Sequence, residues 1–289
     1  NTRCINILNK EFNDNFPPIE GDKTIQIGIS LMNYGEKVPY KNYMLTLKGC
    51  NPLKDCETIC YEREEDILLK FRDIINEEDV DIITGWNTDG FDTPFLVKRA
   101  QELNIQDEFC KLSRFTDFKS EIKTKQKKSA IGQLVTMEYI QIPGRIQMDL
   151  LPLVQKSKNL ASYKLDAVSA EFINGSVSKL EYNESTNLTK VYSKTLSGLN
   201  ANNFIKFMEI DGYLDNKYLD GKKFEVLDIN LSDNYFIVKS EIKLDTSKNI
   251  RWCLGKDDVS PQDIFRLQKG SDSDRYIIAK YCLMDVILV

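Results

Sequence analysis

The first third of the chain alternates between strand-like and helix-like spacing of its apolar residues. Residues 24–33 (TIQIGISLMN) are rich in β-branched side chains, which predicts a strand in the centre of a sheet. Residues 41–48 (KNYMLTLK) alternate and predict a second strand that pairs with the first. Residues 64–77 place apolar side chains at helical spacing with acids in the first turn, which predicts an amphipathic helix.

The next segment predicts a strand, a polar loop and another helix. Residues 80–84 (VDIIT) predict a short buried strand that Gly85 ends. A helix is expected over residues 93–104, with Pro94 in its first turn, where proline has no backbone hydrogen bond to lose. Strands that alternate with helices in this way indicate an α/β fold.

The middle of the chain loses the helical period. Residues 133–150 predict two strands around a Pro-Gly turn, and residues 160–173 predict an amphipathic helix. From 174 to 250 the chain becomes polar, with short strand-like runs between turn signals such as Asp211-Gly212 and Asp220-Gly221. This pattern predicts a small all-β insertion that resembles a barrel.

Helical spacing returns near the end of the chain. Ser260-Pro261 is a typical helix start, with an N-cap side chain followed by proline at the first helical position, and a last helix is expected from about residue 273. The sequence therefore predicts the first part of one domain over 1–173, a β-rich insertion over 174–250 and the C-terminal helices of the first domain over 251–289.

The composition restricts the possible chemistry. The chain contains no histidine, which excludes Ser-His-Asp and Cys-His catalysis and histidine-bound zinc. Carboxylates, Lys, Tyr or Cys must carry any reaction. A formal net charge of −5 argues against a simple basic nucleic-acid-binding module. It remains compatible with an enzyme that holds cations between carboxylates.

The cysteines and the chain ends indicate an intracellular protein cut from a longer one. Seven cysteines without a C-x-x-C pair indicate reduced thiols; the alternative, zinc bound by Cys50, Cys56 and Cys60, has irregular spacing and needs a fourth ligand. No signal peptide or long apolar span occurs, so we expect a soluble protein without membrane contact. The chain starts at Asn1 without Met and ends in an apolar run, which suggests a fragment.

A run of lysines stands out between residues 119 and 128. Two interpretations are open: a solvated hairpin, or an arm that contacts phosphates. The run contains Lys119, Lys123, Lys125, Lys127 and Lys128.

Two short motifs carry candidate chemistry. In residues 85–96 (GWNTDGFDTPFL), a polar loop delivers Asp92 to the start of a helix, where it could bind a cation or simply cap the helix. In the final helix, Tyr281 and Asp285 lie four residues apart on one face. The phenol could orient a water beside the carboxylate, or the two could form an ordinary surface pair.

Together these motifs resemble the 3′→5′ exonuclease region of family B DNA polymerases. The second exonuclease motif of that family is an Asn, a short spacer, then an aromatic residue and Asp, and its third motif is Tyr, three residues, then Asp. Two further family segments and a late stretch typical of giant, nucleo-cytoplasmic DNA virus polymerases are also present. The matching positions are Asn87, Phe91 and Asp92; Tyr281 and Asp285; Gly144-Arg145 with Asp149-Leu150; Ser162 to Val168; and Trp252 with residues 256–265.

The resemblance implies a ribonuclease-H-like fold and two-metal phosphodiester hydrolysis with two Mg²⁺ or Mn²⁺ ions. It implies that Asp92 and Asp285 are metal ligands and that Tyr281 positions the attacking water. Asn87 and Phe91 would shape the pocket for the 3′ nucleotide. Independently of the resemblance, Lys125, Lys127 and Lys128 are the lysines expected to contact DNA if their run forms a phosphate-binding arm.

The first family motif, Asp-x-Glu followed by Cys, departs from the pattern here. Aligned on Cys4, the expected acids fall on Asn1 and Arg3, which are a weak ligand and a cation. Either the motif is degenerate, or it was lost or altered at the end of the fragment.

Two functions are therefore compared. The first is the proofreading exonuclease region of a replicative viral DNA polymerase, without the polymerase palm. Its expected partners are a single-stranded DNA 3′ end or primer-template, the polymerase domains of the parent chain and a sliding clamp, at a viral replication site in the host cytoplasm or nucleus. The alternative is a catalytically silent scaffold that guides DNA or docks proteins.

Overall fold

A computed structural model of the chain describes residues 5–6, 23–36, 38–128, 134–211, 214–255 and 259–289. Within these ranges, only the backbone is described at 5–6, 125, 127–128, 134–138 and 214–215. Asn1 and Arg3 lie outside the described residues.

The elements alternate in type along the first half of the chain, and strands dominate the third quarter. The strands are β1 (Ile5–Asn6), β2 (Lys23–Thr24), β3 (Gln26–Leu31), β4 (Lys41–Leu47), β5 (Glu57–Tyr61), β6 (Ile82–Gly85), β7 (Glu121–Lys128), β8 (Leu134–Gln141), β9 (Ile146–Asp149), β10 (Asn174–Asn183), β11 (Leu188–Ser193), β12 (Phe204–Asp211), β13 (Leu214–Lys217), β14 (Phe224–Asn230), β15 (Tyr235–Val238) and β16 (Asn249–Gly255). The helices are α1 (Glu64–Glu77), α2 (Thr93–Glu102), α3 (Gln106–Phe109), α4 (Leu150–Ser157), α5 (Leu165–Phe172), α6 (Pro261–Gln268) and α7 (Asp272–Ile287).

The chain divides into two compact units. Unit 1 comprises Asn1–Lys158 and Val259–Val289, and unit 2 comprises Asn159–Asp258. Unit 1 mixes helices and strands, whereas unit 2 holds α5 and the strands from β10 to β16.

Unit 1 contains two short sheets that position its helices. In the first, β4 pairs antiparallel with β3 and parallel with β5. In the second, β6 and β9 run parallel, in a register that sets Gly85 opposite Asp149. A hairpin of β7 and β8 adds an antiparallel pair. The β3–β4 pairing and the strand from 41 confirm the sequence prediction, although β4, not β3, is the middle strand of the described sheet.

One apolar core joins the helices of unit 1 to the first sheet. Ile27, Met44, Ile67 and Ile278 are fully buried in it. Helix α7 lies close to β3 because Gly28 has no side chain: a Cβ there would stand 2.9 Å from Val286 Cγ2. Helices α1 and α7 confirm the predictions from periodicity, and the Ser260 hydroxyl caps α6 as its sequence predicts.

The buried charged groups of unit 1 have polar partners. Arg99 of α2 donates two hydrogen bonds to Glu64 of α1, and the Thr24 amide donates a third to the same carboxylate at 2.7 Å. The guanidinium of Arg145, before β9, donates to the backbone oxygens of Leu112 and Val80. Buried charges need such partners, because an unpaired charge in the interior is strongly destabilising.

Unit 2 is built on a closed antiparallel ring of strands. Pairing runs from β12 to β14, β15, β11, β10 and β16, and β16 pairs again with β12. The inward residues include Phe207, Phe236 and Trp252, none of which is accessible to solvent. The Trp252 indole donates a 2.8 Å hydrogen bond to the Ser193 hydroxyl, so its polar edge is satisfied inside the ring.

Two predictions from periodicity were wrong in detail. Strand β6 is not buried: Ile82 is 39% exposed and Thr84 is exposed, because β6 pairs only with β9 in the described sheet. Helix α5 begins at Leu165, not at residue 160, because the Ser162 hydroxyl accepts the Lys164 amide in a local turn and Lys164 itself is extended.

Candidate active site

The turn between β6 and α2 carries three of the predicted site residues. Asn87 has φ 62°, a left-handed conformation that asparagine tolerates better than most residues. Residues 88–92 then form one wide π-helical turn that runs into α2 at Thr93. Turns of this kind are rare and often occur at functional sites.

Asp92 is buried at the end of this turn. Only 3% of its surface is exposed, and its side chain does not cap α2. The helix-cap interpretation of Asp92 is therefore wrong. Burial of a charge is costly, so a carboxylate in the interior needs polar partners.

The residues around Asp92 are held by packing and by backbone geometry. The Phe91 ring stacks on Phe95 with centroids 5.8 Å apart. The Asn87 carboxamide oxygen lies 2.3 Å from the position that a Cβ of residue 90 would take, so a side chain at Gly90 would require the carboxamide to move.

Asp149, at the end of the neighbouring strand β9, accepts hydrogen bonds from this turn. Its carboxylate accepts the amides of Asn87 at 2.9 Å and Asp89 at 3.2 Å. It also accepts the Leu151 amide at 3.0 Å and so caps α4. The parallel register of β6 and β9 makes this possible, because the carboxyl ends of both strands meet at one edge of the sheet.

Helix α7 carries the second candidate pair. Asp285 is fully buried, whereas Tyr281 is half-buried one turn earlier on the same face. Their neighbours Cys282 and Val286 pack against β3 at Gly28. The interpretation of Tyr281 and Asp285 as an exposed surface pair is wrong, because the carboxylate has no access to solvent.

The two motifs approach the same core of unit 1. Phe95 and Leu96, just after Asp92, belong to one continuous cluster with Cys282 and Leu283, just before Asp285. The fold therefore brings helices α2 and α7 into one packed body, each with a buried aspartate at its edge of that core.

For three of the lysines and for the first-motif residues, the structure describes the backbone alone or nothing. Lys125, Lys127 and Lys128 lie on β7, paired with Met137, Val135 and Leu134, so a hairpin is present; their side chains lie outside the description. Whether they contact DNA stays a prediction. Asn1 and Arg3 also stay predictions, since neither is among the described residues.

The donor set suits a hard divalent cation but is incomplete. Asp92 and Asp285 offer only oxygen atoms, which Mg²⁺ and Mn²⁺ prefer. Within the ranges that the structure describes, no three His, Cys, Asp or Glu residues come together as a metal site. The same finding contradicts the zinc alternative at Cys50, Cys56 and Cys60, which are free thiols.

Sequence reasoning assigned no function to Asp149, Gly90 or Gly28. Asp149 was visible only as part of a family segment, and its partners lie 60 and 62 positions away. The available signal was the Asp-Leu pair at a strand end before a helix, which is a typical capping pattern. The two glycines gave no signal, because their role depends on which side chain packs against them.

No helix among the described residues combines the length and the apolar character needed to cross a membrane.

Comparison with known proteins identifies the family. Residues 2–168 match the family described as DNA polymerase family B, exonuclease domain. The chain is 36% identical to a DNA polymerase of Phaeocystis pouchetii virus over 96% of its length and 35% identical to one of Pyramimonas orientalis virus over 98%. It is also 39% identical to the DNA polymerase delta catalytic subunit of Dictyostelium discoideum over 55% of its length.

The coverage differs between these relatives. The chain spans 28% and 22% of the two viral polymerases and 14% of the delta subunit. The family match ends at residue 168, before β10. The alignment with the Phaeocystis pouchetii virus polymerase covers 96% of the chain and therefore includes most of the ring of unit 2. The chain belongs to the family B DNA polymerases, as an exonuclease domain of that family.

Proposed function

We propose that this chain removes nucleotides from DNA 3′ ends, as the 3′→5′ proofreading region of a longer viral replicative polymerase. In the reaction, a hydroxide attacks the terminal phosphodiester in line, the P–O bond to the penultimate 3′ oxygen breaks, and a nucleoside monophosphate leaves. The observation that carries the proposal is the burial of Asp92 and Asp285 beside one core, in a chain that matches this family.

The candidate site residues have different roles in this proposal. Asp92 and Asp285 would contribute oxygen ligands to Mg²⁺ or Mn²⁺, which would supply an activated hydroxide and stabilise charge at phosphorus when bound with further ligands. Tyr281 donates a hydrogen bond that orients the attacking oxygen. Asn87 and Phe91 contact the terminal nucleotide, since their turn leads directly into Asp92.

We further propose that unit 1 has the ribonuclease-H-like fold and that the β-rich segment 174–250 is inserted into it. The mixed sheet of β3, β4 and β5 and the placement of helices support the first point. The closed ring of strands and the end of the family match before β10 support the second.

The proposed partners follow from the family. They are a single-stranded 3′ end or primer-template, the polymerase domains of the same parent chain and a sliding clamp, at a viral replication site in the host cytoplasm or nucleus. The family match does not favour the silent scaffold.

The test uses the intact polymerase and a single-stranded oligonucleotide labelled at its 5′ end. Digestion from the 3′ end should require Mg²⁺ or Mn²⁺. Asp285→Asn should slow digestion by about a thousandfold, because it removes charge without changing shape. Asp272→Asn is the matched control: it removes an exposed carboxylate from the same helix and should digest at the wild-type rate.

Wild-type enzyme that binds the oligonucleotide without digesting it would contradict the proposal and support the scaffold. Equal rates for Asp285→Asn and Asp272→Asn would show that digestion occurs at another site.

A further inference from the structure

We propose that Asp149 is a positioning residue of the exonuclease site, which fixes the turn that carries Asn87, Phe91 and Asp92. The inference rests on the proposed function and deepens it. The family resemblance implies no role in the reaction for Asp149.

The geometry distinguishes Asp149 from an ordinary helix cap. A capping side chain accepts one or two amides of its own helix, as the Ser260 hydroxyl accepts the Asp263 amide at the start of α6. Asp149 accepts one amide of α4 and two more from a turn that is 60 or more positions earlier in the chain. One carboxylate therefore serves the first turns of two helical segments.

This arrangement uses both carboxylate oxygens. Oδ1 accepts the amides of Asn87 and Leu151, and Oδ2 accepts the amide of Asp89. Hydrogen bonds to a charged acceptor are about twice as strong as neutral ones. Asp149 thus acts on the site through the backbone, and the cation ligands remain Asp92 and Asp285.

The turn needs an external support because its own conformation is unfavourable. Asn87 is left-handed and the following turn is a π-helix, both of which are sparsely populated. The Phe91 amide closes the turn on the Asn87 oxygen at 3.0 Å, so movement of Asn87 transmits directly to Phe91 and Asp92. A displacement of about 1 Å at a reacting group can slow catalysis about a hundredfold.

A series of substitutions separates the two functions of Asp149. Asp149→Ser keeps a cap for α4 but is too short to reach the Asn87 turn. Asp149→Asn keeps one acceptor oxygen but sets an amide donor against the Asp89 amide. Ser260→Ala is the control, since it removes a cap from another helix of unit 1.

The intact polymerase is measured in three ways: single-turnover digestion, the Mg²⁺ concentration for half-maximal digestion, and hydrogen exchange of residues 86–92. For Asp149→Ser we expect digestion slowed about a hundredfold, a raised Mg²⁺ requirement and exchange faster by about tenfold to a hundredfold. Asp149→Asn should lie between wild type and Asp149→Ser, and Ser260→Ala should match wild type in all three.

Wild-type digestion and wild-type exchange in Asp149→Ser would overturn the inference. Faster exchange with unchanged digestion would also overturn it, because the turn would then be irrelevant to the site. Wild-type enzyme without digestion would instead overturn the proposed function. Exchange of residues 86–92, which needs no activity, would then decide whether Asp149 holds the turn.

Discussion

The two units of this chain bury different kinds of side chain. Unit 1 encloses the charged groups Asp92, Asp285, Glu64 and Arg99 within or beside its apolar core. The ring of unit 2 encloses aromatic side chains, and the polar edge of Trp252 meets the Ser193 hydroxyl. Burial of a charge costs free energy, and buried charged groups often occur at functional sites. The contrast supports the proposal that the buried aspartates of unit 1 carry the reaction, whereas the ring of unit 2 encloses mainly apolar side chains.

The chain offers one tryptophan in each unit to test this contrast. Trp86 lies in unit 1 beside Asn87, and Trp252 lies in unit 2. Trp86→Phe and Trp252→Phe therefore give two reporters whose fluorescence follows the unfolding of one unit each.

The largest effect is expected from the buried ion pair of unit 1. Arg99→Met leaves the Glu64 carboxylate buried without its guanidinium, which should lower the free energy of unfolding by about 3–5 kcal/mol. Urea unfolding should show a shifted midpoint for Trp86 and an unchanged one for Trp252. Equal shifts of both reporters would mean that the two units unfold together and that the contrast is not energetic.

A catalytic effect of similar size is expected at Asp92. Asp92→Asn should slow digestion about a hundredfold to a thousandfold, because a neutral amide is a poor ligand for a divalent cation. Phe236→Leu, a buried substitution in the ring of unit 2, is the comparison variant and should leave the rate within about threefold. Loss of digestion in both variants would assign the ring a part in the reaction.

A smaller effect is expected at Gly28. Gly28→Ala places a methyl group 2.9 Å from Val286 Cγ2 and should cost about 1–3 kcal/mol through overpacking. The displaced α7 should also slow digestion, since it carries Asp285. Val286→Ala in the same chain removes the opposing methyl group, so the double variant should recover both stability and rate. Failure of this rescue would show that the close approach does not position α7.

The smallest effect is expected from alkaline pH. Burial raises the pKa of Cys56 to about 12 and that of Cys50 to about 11, and burial also raises the pKa of Tyr43 and Tyr61. The unfolded chain releases these protons first, so this contribution to stability is complete below about pH 9 and declines as the pH rises towards 12. Cys56→Ala should reduce the alkaline slope of the Trp86 midpoint. An unchanged slope would assign the decline to the tyrosines.

Local patterns predicted most elements but not the way the site is assembled. The bounds of α1 and the cap of α6 follow from periodicity and capping chemistry, which act within a few residues. The closed pairing of β16 with β12 does not, because strand partners far apart in sequence leave no local mark. Asp92, Tyr281 and Asp285 are candidates from two short motifs and a family resemblance, whereas the contacts of Asp149 depend on the register of β6 and β9.

The parallel pairing of β6 with β9 has a consequence for how this domain tolerates changes in length. The 63 positions between Gly85 and Asp149 begin and end at paired strands, so their two ends stay together whatever lies between. Insertions or deletions between β7 and β8 should therefore leave the Asn87 turn in place. New sequence can be grafted at that connection while Asn87 and Asp149 keep their register, and a change in DNA binding would then report on the lysines of β7.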